Sequence, residues 1–233
     1  MTADEMKRRA AEAAIELVTP GMRLGLGTGS TAKHFVDLVG GRVKSGMDVL
    51  CVPTSEATRA QAEGLGIPLT TLDETPELDL TVDGADELDG ALQLIKGGGG
   101  ALLREKLVAA SSTRLVIIAD GSKKVAQLGA FPLPVEIVPF GYRSTLAMIE
   151  RSAKVAGCTG ALTVRLKGDG AIYVTDNGNY ICDCAFGQIG NAMLLDQGLR
   201  ALPGVVETGL FLGMADLALI AGEGGLETIR RTV

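Results

Sequence analysis

Histidine is almost absent from this 233-residue chain, the single one being His34, and a Ser-His-Asp triad or a histidine-based metal site would have to use it. His34 falls inside a stretch with helical spacing and reads as a helix-surface or packing residue, so any proton transfer here is expected to rest on a carboxylate. Cysteine is scarce too. Cys51, Cys158, Cys182 and Cys184 give one C-x-C and no C-x-x-C pair, which argues against a zinc framework or a disulfide scaffold and for buried, reduced thiols. Cations are few: 22 Lys and Arg stand against 28 Asp and Glu, for a net charge of −6. No basic run occurs, which excludes a nucleic-acid surface, because affinity there comes from clustered cations on phosphates. A long apolar run is also missing. Residues 1–20 carry Asp4, Glu5, Lys7, Arg8, Arg9, Glu12 and Glu16 among alanines and read as an amphipathic helix, neither a signal peptide nor a membrane span. A cytoplasmic protein with no membrane partner is expected. Internal repeats and low-complexity tracts are absent.

What the chain has is apolar content of 46%, enough to bury a full core. Apolar runs at 22–26, 49–52, 78–82 and 115–119 suit buried parallel strands, and helical patterns at 30–39, 55–65 and 101–111 alternate with them. This alternation predicts an α/β fold with a doubly wound, mostly parallel sheet. After Lys124 the character changes. Residues 131–139, with Pro132, Pro134 and Pro139, read as a linker or an edge strand, since a central strand loses ladder donors at proline. A second, smaller α+β unit is expected from there: a helix at 142–156, strands at 161–166 and 180–185 separated by the turn signal Thr175-Asp176-Asn177-Gly178-Asn179, and a helix at 191–201. Strands at 205–212 and 217–221 return to finish the structure. The division predicted is 1–130 plus 205–233 for the main domain and 131–204 for the small one.

Four clusters carry chemistry. Gly25-Leu26-Gly27-Thr28-Gly29-Ser30-Thr31-Ala32 is a glycine-rich turn between a strand and a helix, whose amides and hydroxyls suit an anion such as phosphate. Its third glycine position holds Ser30 and no G-K-[ST] follows, so neither a dinucleotide fingerprint nor a P-loop is present. A tight turn with an ordinary helix cap is the alternative. In Val82-Asp83-Gly84-Ala85-Asp86-Glu87, Asp83 falls at the carboxyl end of a strand, where open α/β sheets bind ligands. Asp83 and Asp86 on one turn can face one pocket and push each other's pKa values apart; helix capping is the plainer reading, and a calcium loop is absent. Lys96 leads into Gly97, Gly98, Gly99 and Gly100, and four glycines cost enough folding entropy to suggest close approach to a ligand. Arg104 and Glu105 follow on a helix, where surface pairing is the alternative. Lys123 lies past another strand end and suits phosphate, with Lys124 beside it solvated.

Together, residues 25–32, 83–87, 96–99 with Leu103-Arg104-Glu105-Lys106, 131–136 and 175–179 resemble, in order and spacing over nearly the whole chain, the successive motifs of ribose-5-phosphate isomerase type A. The resemblance implies a Rossmann-like domain with a smaller, ferredoxin-like α+β domain, which serves oligomerisation, and a homodimer or dimer of dimers. It implies neither metal nor redox cofactor. It also implies an aldose–ketose isomerase that interconverts D-ribose 5-phosphate and D-ribulose 5-phosphate through an enediolate, in the non-oxidative branch of the pentose phosphate pathway. Carried over, it makes Glu105 the base and Lys96 the oxyanion partner. Asp83 and Asp86 bind sugar hydroxyls and open the furanose ring, and Thr28, Gly29, Ser30, Thr31 and Lys123 bind phosphate and substrate oxygens. Gly84, Ala85, Gly97, Gly98 and Gly99 complete the substrate-binding set. Gly100 stands where some members carry alanine, and residues 140–143 vary in the family. A non-catalytic sugar-phosphate sensor shares such a fold but comes with a helix-turn-helix segment, and a nucleotide-dependent oxidoreductase is disfavoured by the broken fingerprint.

Overall fold

The computed structural model describes residues 1–231. Its first helix, α1 (Ala3–Ile15), starts where Thr2 and Glu5 bond each other's backbone amides in a capping box. The strands β1 (Arg23–Leu26), β2 (Leu50–Pro53), β3 (Leu80–Asp83), β6 (Leu115–Asp120) and β12 (Leu217–Gly222) form a parallel sheet, to which β13 (Gly225–Arg230) adds an antiparallel edge. The order β13-β12-β6-β3-β1-β2 places β2 on one side of β1 and β3 on the other. The chain therefore reverses direction across the sheet between β1 and β3, and the crevice at their carboxyl ends is where such sheets hold ligands. The period-2 pattern of the strands feeds two cores. Leu24, Leu26, Val116 and Ile118 pack under α1, α2 (Ser30–Lys44) and α3 (Glu56–Leu65), whereas Leu115, Ile117 and Ala119 face the other side.

The helix after the glycine turn was expected to end at 39, yet α2 continues through Gly40 and Gly41. Packing overrides the weak propensity of glycine there: a Cβ at Gly40 would sit 2.9 Å from the Cβ of Leu65 on α3, so the missing side chain lets the two helices meet.

Residues 131–139 are neither linker nor edge. The strand β7 (Leu133–Ile137) lies inside a four-stranded antiparallel sheet, order β10-β7-β9-β8, with β8 (Ala161–Val164), β9 (Tyr180–Ala185) and β10 (Val205–Thr208). With α5 (Tyr142–Val155) and α6 (Ala192–Arg200) this is the βαββαβ order of a ferredoxin-like unit. Pro134 survives in an interior strand for a local reason. A strand residue aims its nitrogen and oxygen the same way, and the Pro134 carbonyl accepts from Gly209 N at 2.7 Å, just past the end of β10. The absent donor thus costs the ladder to β9 nothing. Sheet membership also sets 205–208 with the small sheet, so the return to the main sheet expected at 205 comes later.

A third sheet went unread in the sequence: β4 (Glu87–Leu88), β5 (Leu94–Ile95) and β11 (Leu210–Phe211), order β11-β5-β4. Strands of two residues carry no periodicity. This small sheet and α4 (Leu102–Ala110) lie over the second face of the main one, with Leu88, Leu94, Phe211 and Ala109 in its core.

Candidate active site

The turn after β1 and the turn after β3 touch because glycine is at their contact. A Cβ on Gly27 would fall 2.2 Å from Asp83 Oδ1, so only glycine lets β1 end against this carboxylate. Asp83 Oδ1 accepts from the amides of Thr28 (3.0 Å) and Gly84 (2.7 Å), stitching the two turns together. Its Oδ2 faces Lys96 Nζ at 2.9 Å as an ion pair without hydrogen-bond alignment. Asp83 is 1% exposed and sits beneath the cleft, so the carboxylate expected to touch sugar hydroxyls is instead turned to amides and an ammonium.

Lys96 is equally buried at 2% exposure. Its Nζ donates to Gly84 O at 2.8 Å, stands 3.3 Å from Glu105 Oε1, and lies 5.3 Å from the centre of the Phe211 ring. Burial works against its charge, but the facing carboxylates of Asp83 and Glu105 prevail and hold its pKa above the usual lysine value. Glu105, in the first turn of α4 and 4% exposed, has an Oε2 that is buried without a partner. Burial first, opposed by Lys96 and helped by the negative charges of Asp83 and Asp86, pushes its pKa up to about 8. Burial likewise raises Asp83, against the pull of Lys96. The tight carboxylate pair is therefore Asp83 with Glu105, on either side of one lysine, and not Asp83 with Asp86 as the spacing suggested.

Asp86 stands at the cleft, where its Oδ2 accepts from Gly98 N at 2.7 Å. The cleft, about 430 Å³ and open to solvent, is lined by Thr28, Gly29, Ser30, Thr31, Gly84, Ala85, Asp86, Lys96, Gly97, Gly98, Gly99, Glu105 and Lys123. The structure thus gathers every expected site residue except Asp83 onto one surface. Thr28 Oγ1 is taken up by Thr54, Ser55 and Thr58 at 2.7–3.0 Å, which ties the glycine turn to the start of α3 and leaves Ser30 and Thr31 as the hydroxyls of this turn on the cleft. Lys123 ends the 3₁₀ turn Gly121–Lys123 after β6 and supplies a cation at the same opening.

The remaining candidates are structural. Arg104 leaves the cleft to bond Glu56, Asn177 Oδ1 and the Asp176 carbonyl. Lys124 pairs with Glu227. His34 meets Asp4 at 3.0 Å on the surface. All four cysteines are buried and free, and burial pushes the Cys51 thiol up to about 12. Sequence reasoning missed Arg165, which touches the glycine loop from the small sheet. No motif surrounds it, and the contact spans 67 positions, so nothing local marks it.

A buried, partnerless carboxylate oxygen, an ammonium held charged beside it and anion-binding turns at one opening suit proton abstraction next to a carbonyl of a phosphorylated substrate. The family model for ribose 5-phosphate isomerase A (phosphoriboisomerase A) matches residues 50–225. Ribose-5-phosphate isomerase A of Rhodopseudomonas palustris (strain BisB18) is 58% identical over 231 residues, covering 99% of this chain and all of the relative; that of Nitrobacter hamburgensis is 58% identical over the same span. Among solved structures, ribose 5-phosphate isomerase from Plasmodium falciparum superposes with a TM-score of 0.93 at 40% identity, covering 99% of this chain and all of that one. A D-ribose-5-phosphate isomerase in complex with phospho-erythronic acid gives 0.92 at 33% identity over 99% of this chain and all of that one. On sequence and fold alike, this chain belongs to the ribose 5-phosphate isomerase A family.

Proposed function

We propose that Glu105 is the base of the aldose–ketose isomerisation that interconverts ribose 5-phosphate and ribulose 5-phosphate. In the open-chain aldose, Glu105 takes the proton from C2, and the electron pair of that C–H bond moves through C1 onto O1, giving an enediolate. Returning the proton to C1 while the hydroxyl proton of O2 passes to O1 yields the ketose, so the atoms balance without an external oxidant. The buried, partnerless Oε2 of Glu105 at the cleft carries this reading. A positioned base contributes roughly 10²- to 10⁴-fold to such a step.

Lys96, kept charged by its two carboxylates, faces the developing oxyanion. Asp83 acts through that lysine, and Asp86, at the cleft surface, handles the sugar hydroxyls and ring opening. Ser30, Thr31, the amides of 28–31 and Lys123 take the phosphate. A relative bound to phospho-erythronic acid supports this assignment, since a phosphorylated sugar acid offers two coplanar oxygens much as an enediolate does. No resident metal or redox cofactor is assigned. The test is turnover of ribose 5-phosphate in chelator by wild type and Glu105→Gln. The mutant is expected to lose at least about 10²-fold in kcat while still binding the sugar phosphate; a loss under tenfold removes Glu105 from the role of base.

The chain is further assigned to the cytoplasm; no described helix is long and apolar enough to cross a membrane. The main sheet, from 1–130 and the C-terminal return, is read as the catalytic unit, and the four-stranded sheet as the unit through which a homodimer, or a dimer of dimers, assembles. The exposure of Leu166 (56%) and Val174 (45%) near that sheet supports it. A monomeric mass by light scattering would remove the oligomer.

A further inference from the structure

We infer that Arg165, carried by the small sheet, is a positioning residue that aims the backbone amides of the active-site glycine loop at the substrate. Arg165 follows β8 directly, and its backbone amide extends the ladder to Ile181 O at 2.8 Å. Its guanidinium is gripped by Asp183 on β9: Nε reaches Oδ2 at 2.9 Å and Nη2 reaches Oδ1, a two-pronged pair whose side chains are 15% and 25% exposed. The guanidinium carbon lies 6.0 Å from the centre of the Tyr173 ring, above its face. Held on two sides, it presents Nη1 to consecutive carbonyls of the loop, Gly97 O and Gly98 O, each at 3.0 Å.

Peptide geometry converts that grip into a direction. In a trans peptide the carbonyl and the following N–H point opposite ways. Drawing the Gly97 carbonyl toward Arg165 turns the Gly98 N–H away from it, and this N–H is found on Asp86 Oδ2 at 2.7 Å, on the cleft side. The same constraint on the Gly98 carbonyl turns the Gly99 N–H toward the cleft, where among the described residues no acceptor meets it. A free amide beside Lys96 and Glu105 is a donor for an oxygen of the substrate that gains charge during proton transfer. Arg165 thereby sets two groups at once, the Gly99 amide and the orientation of Asp86. The loop can take this shape because Gly97 and Gly100 have φ of +102° and +84°.

The inference rests on the reading of residues 97–99 as substrate-binding. Its test compares wild type, Arg165→Lys and Arg165→Ala, with Glu105→Gln in the same assay. Without the fork, kcat is expected to fall about 10-fold for the lysine variant and about 100-fold for alanine, the lower end of the 10²–10³ for deleting an oxyanion donor outright. The inhibition constant of inorganic phosphate, which reports on the cradle at residues 28–31, is expected to change less than about twofold, and added guanidinium to recover part of the alanine variant's kcat. If alanine does not fold, the lysine variant carries the test alone. The inference is overturned if the variants keep kcat within threefold of wild type, or if kcat and phosphate inhibition deteriorate together, which would mark a merely structural residue. A collapse of Glu105→Gln beside unchanged Arg165 variants removes the role of Arg165 only; an unchanged Glu105→Gln removes the site reading on which it rests.

Discussion

At the scale of single residues, the raised pKa of Glu105 is both a catalytic and a stability statement. The base proposed here must be ionised to act, so kcat/KM is expected to rise with pH along a limb centred far above the usual carboxylate value of 4.5, toward about 8. Folding stability runs the other way. The folded state binds this proton more tightly than the unfolded chain, so the contribution is complete below 4.5 and is lost as pH rises through about 8. Glu105→Gln, which removes the titration, is therefore expected to gain melting temperature over wild type between about pH 5 and about pH 9, and a gap that is flat or shrinking with pH would contradict the buried carboxylate. Much at this scale was legible because the chemistry needs conspicuous local sequence: the Gly27 contact, the amides after Lys96 and the strand-end Asp83 all demand glycine next to a polar group. The pairing of Asp83 with Glu105 was not legible. It is made in space through Lys96, and spacing along the chain pointed to Asp86 instead.

At the scale of elements, the helix carrying Glu105 must be held still. Its next residue, Lys106, does this by donating from Nζ to Glu207 Oε1 (2.9 Å), Thr208 O (2.7 Å) and Leu210 O (2.7 Å), with the Phe211 ring 4.8 Å away. Phe211 so lies near the ammoniums of both Lys96 and Lys106 and helps to hold α4 against the C-terminal segment. Breaking a buried pair on one side costs roughly 3–5 kcal/mol, and because Arg200 stays 3.7 Å from Glu207, Lys106→Met is expected to cost about 2 kcal/mol by denaturant unfolding. Adding Glu207→Gln should recover part of that loss, because the uncompensated charge goes with it; a strictly additive double mutant would show that the ion pair is not what is felt. Helices and long strands were readable from periodicity. The proline-marked strand β7 was not, because its tolerance depends on where β10 stops, and neither were β4, β5 and β11, which are too short to show a pattern.

At the scale of the molecule, the site belongs to both sheets. The main sheet supplies the turns, Asp83 and Lys123, while the small sheet reaches the glycine loop through Arg165, and the turn at 175–179 is fixed from both sides. Glu136 Oε1, on β7, accepts from Thr175, Asn177 and Asn179, and across the junction Arg104 and the Glu56 amide bond Asn177 and Asp176. Lys96 N to Gly209 O and Gly209 N to Pro134 O, at 2.9 and 2.7 Å, run a backbone relay from the buried lysine of the cleft into the strand that starts the small sheet. Sheets so joined should melt together. If this chain takes phospho-erythronic acid, with which a related isomerase was solved, the ligand at about a hundred times its Kd stabilises the folded state by about 2.7 kcal/mol, which for a chain of this size raises Tm by roughly 5–10 °C. Calorimetry is expected to show one transition that moves as a whole. Two transitions, with only one displaced by the ligand, would mean that the small sheet folds on its own and that its contacts with the glycine loop transmit nothing to it.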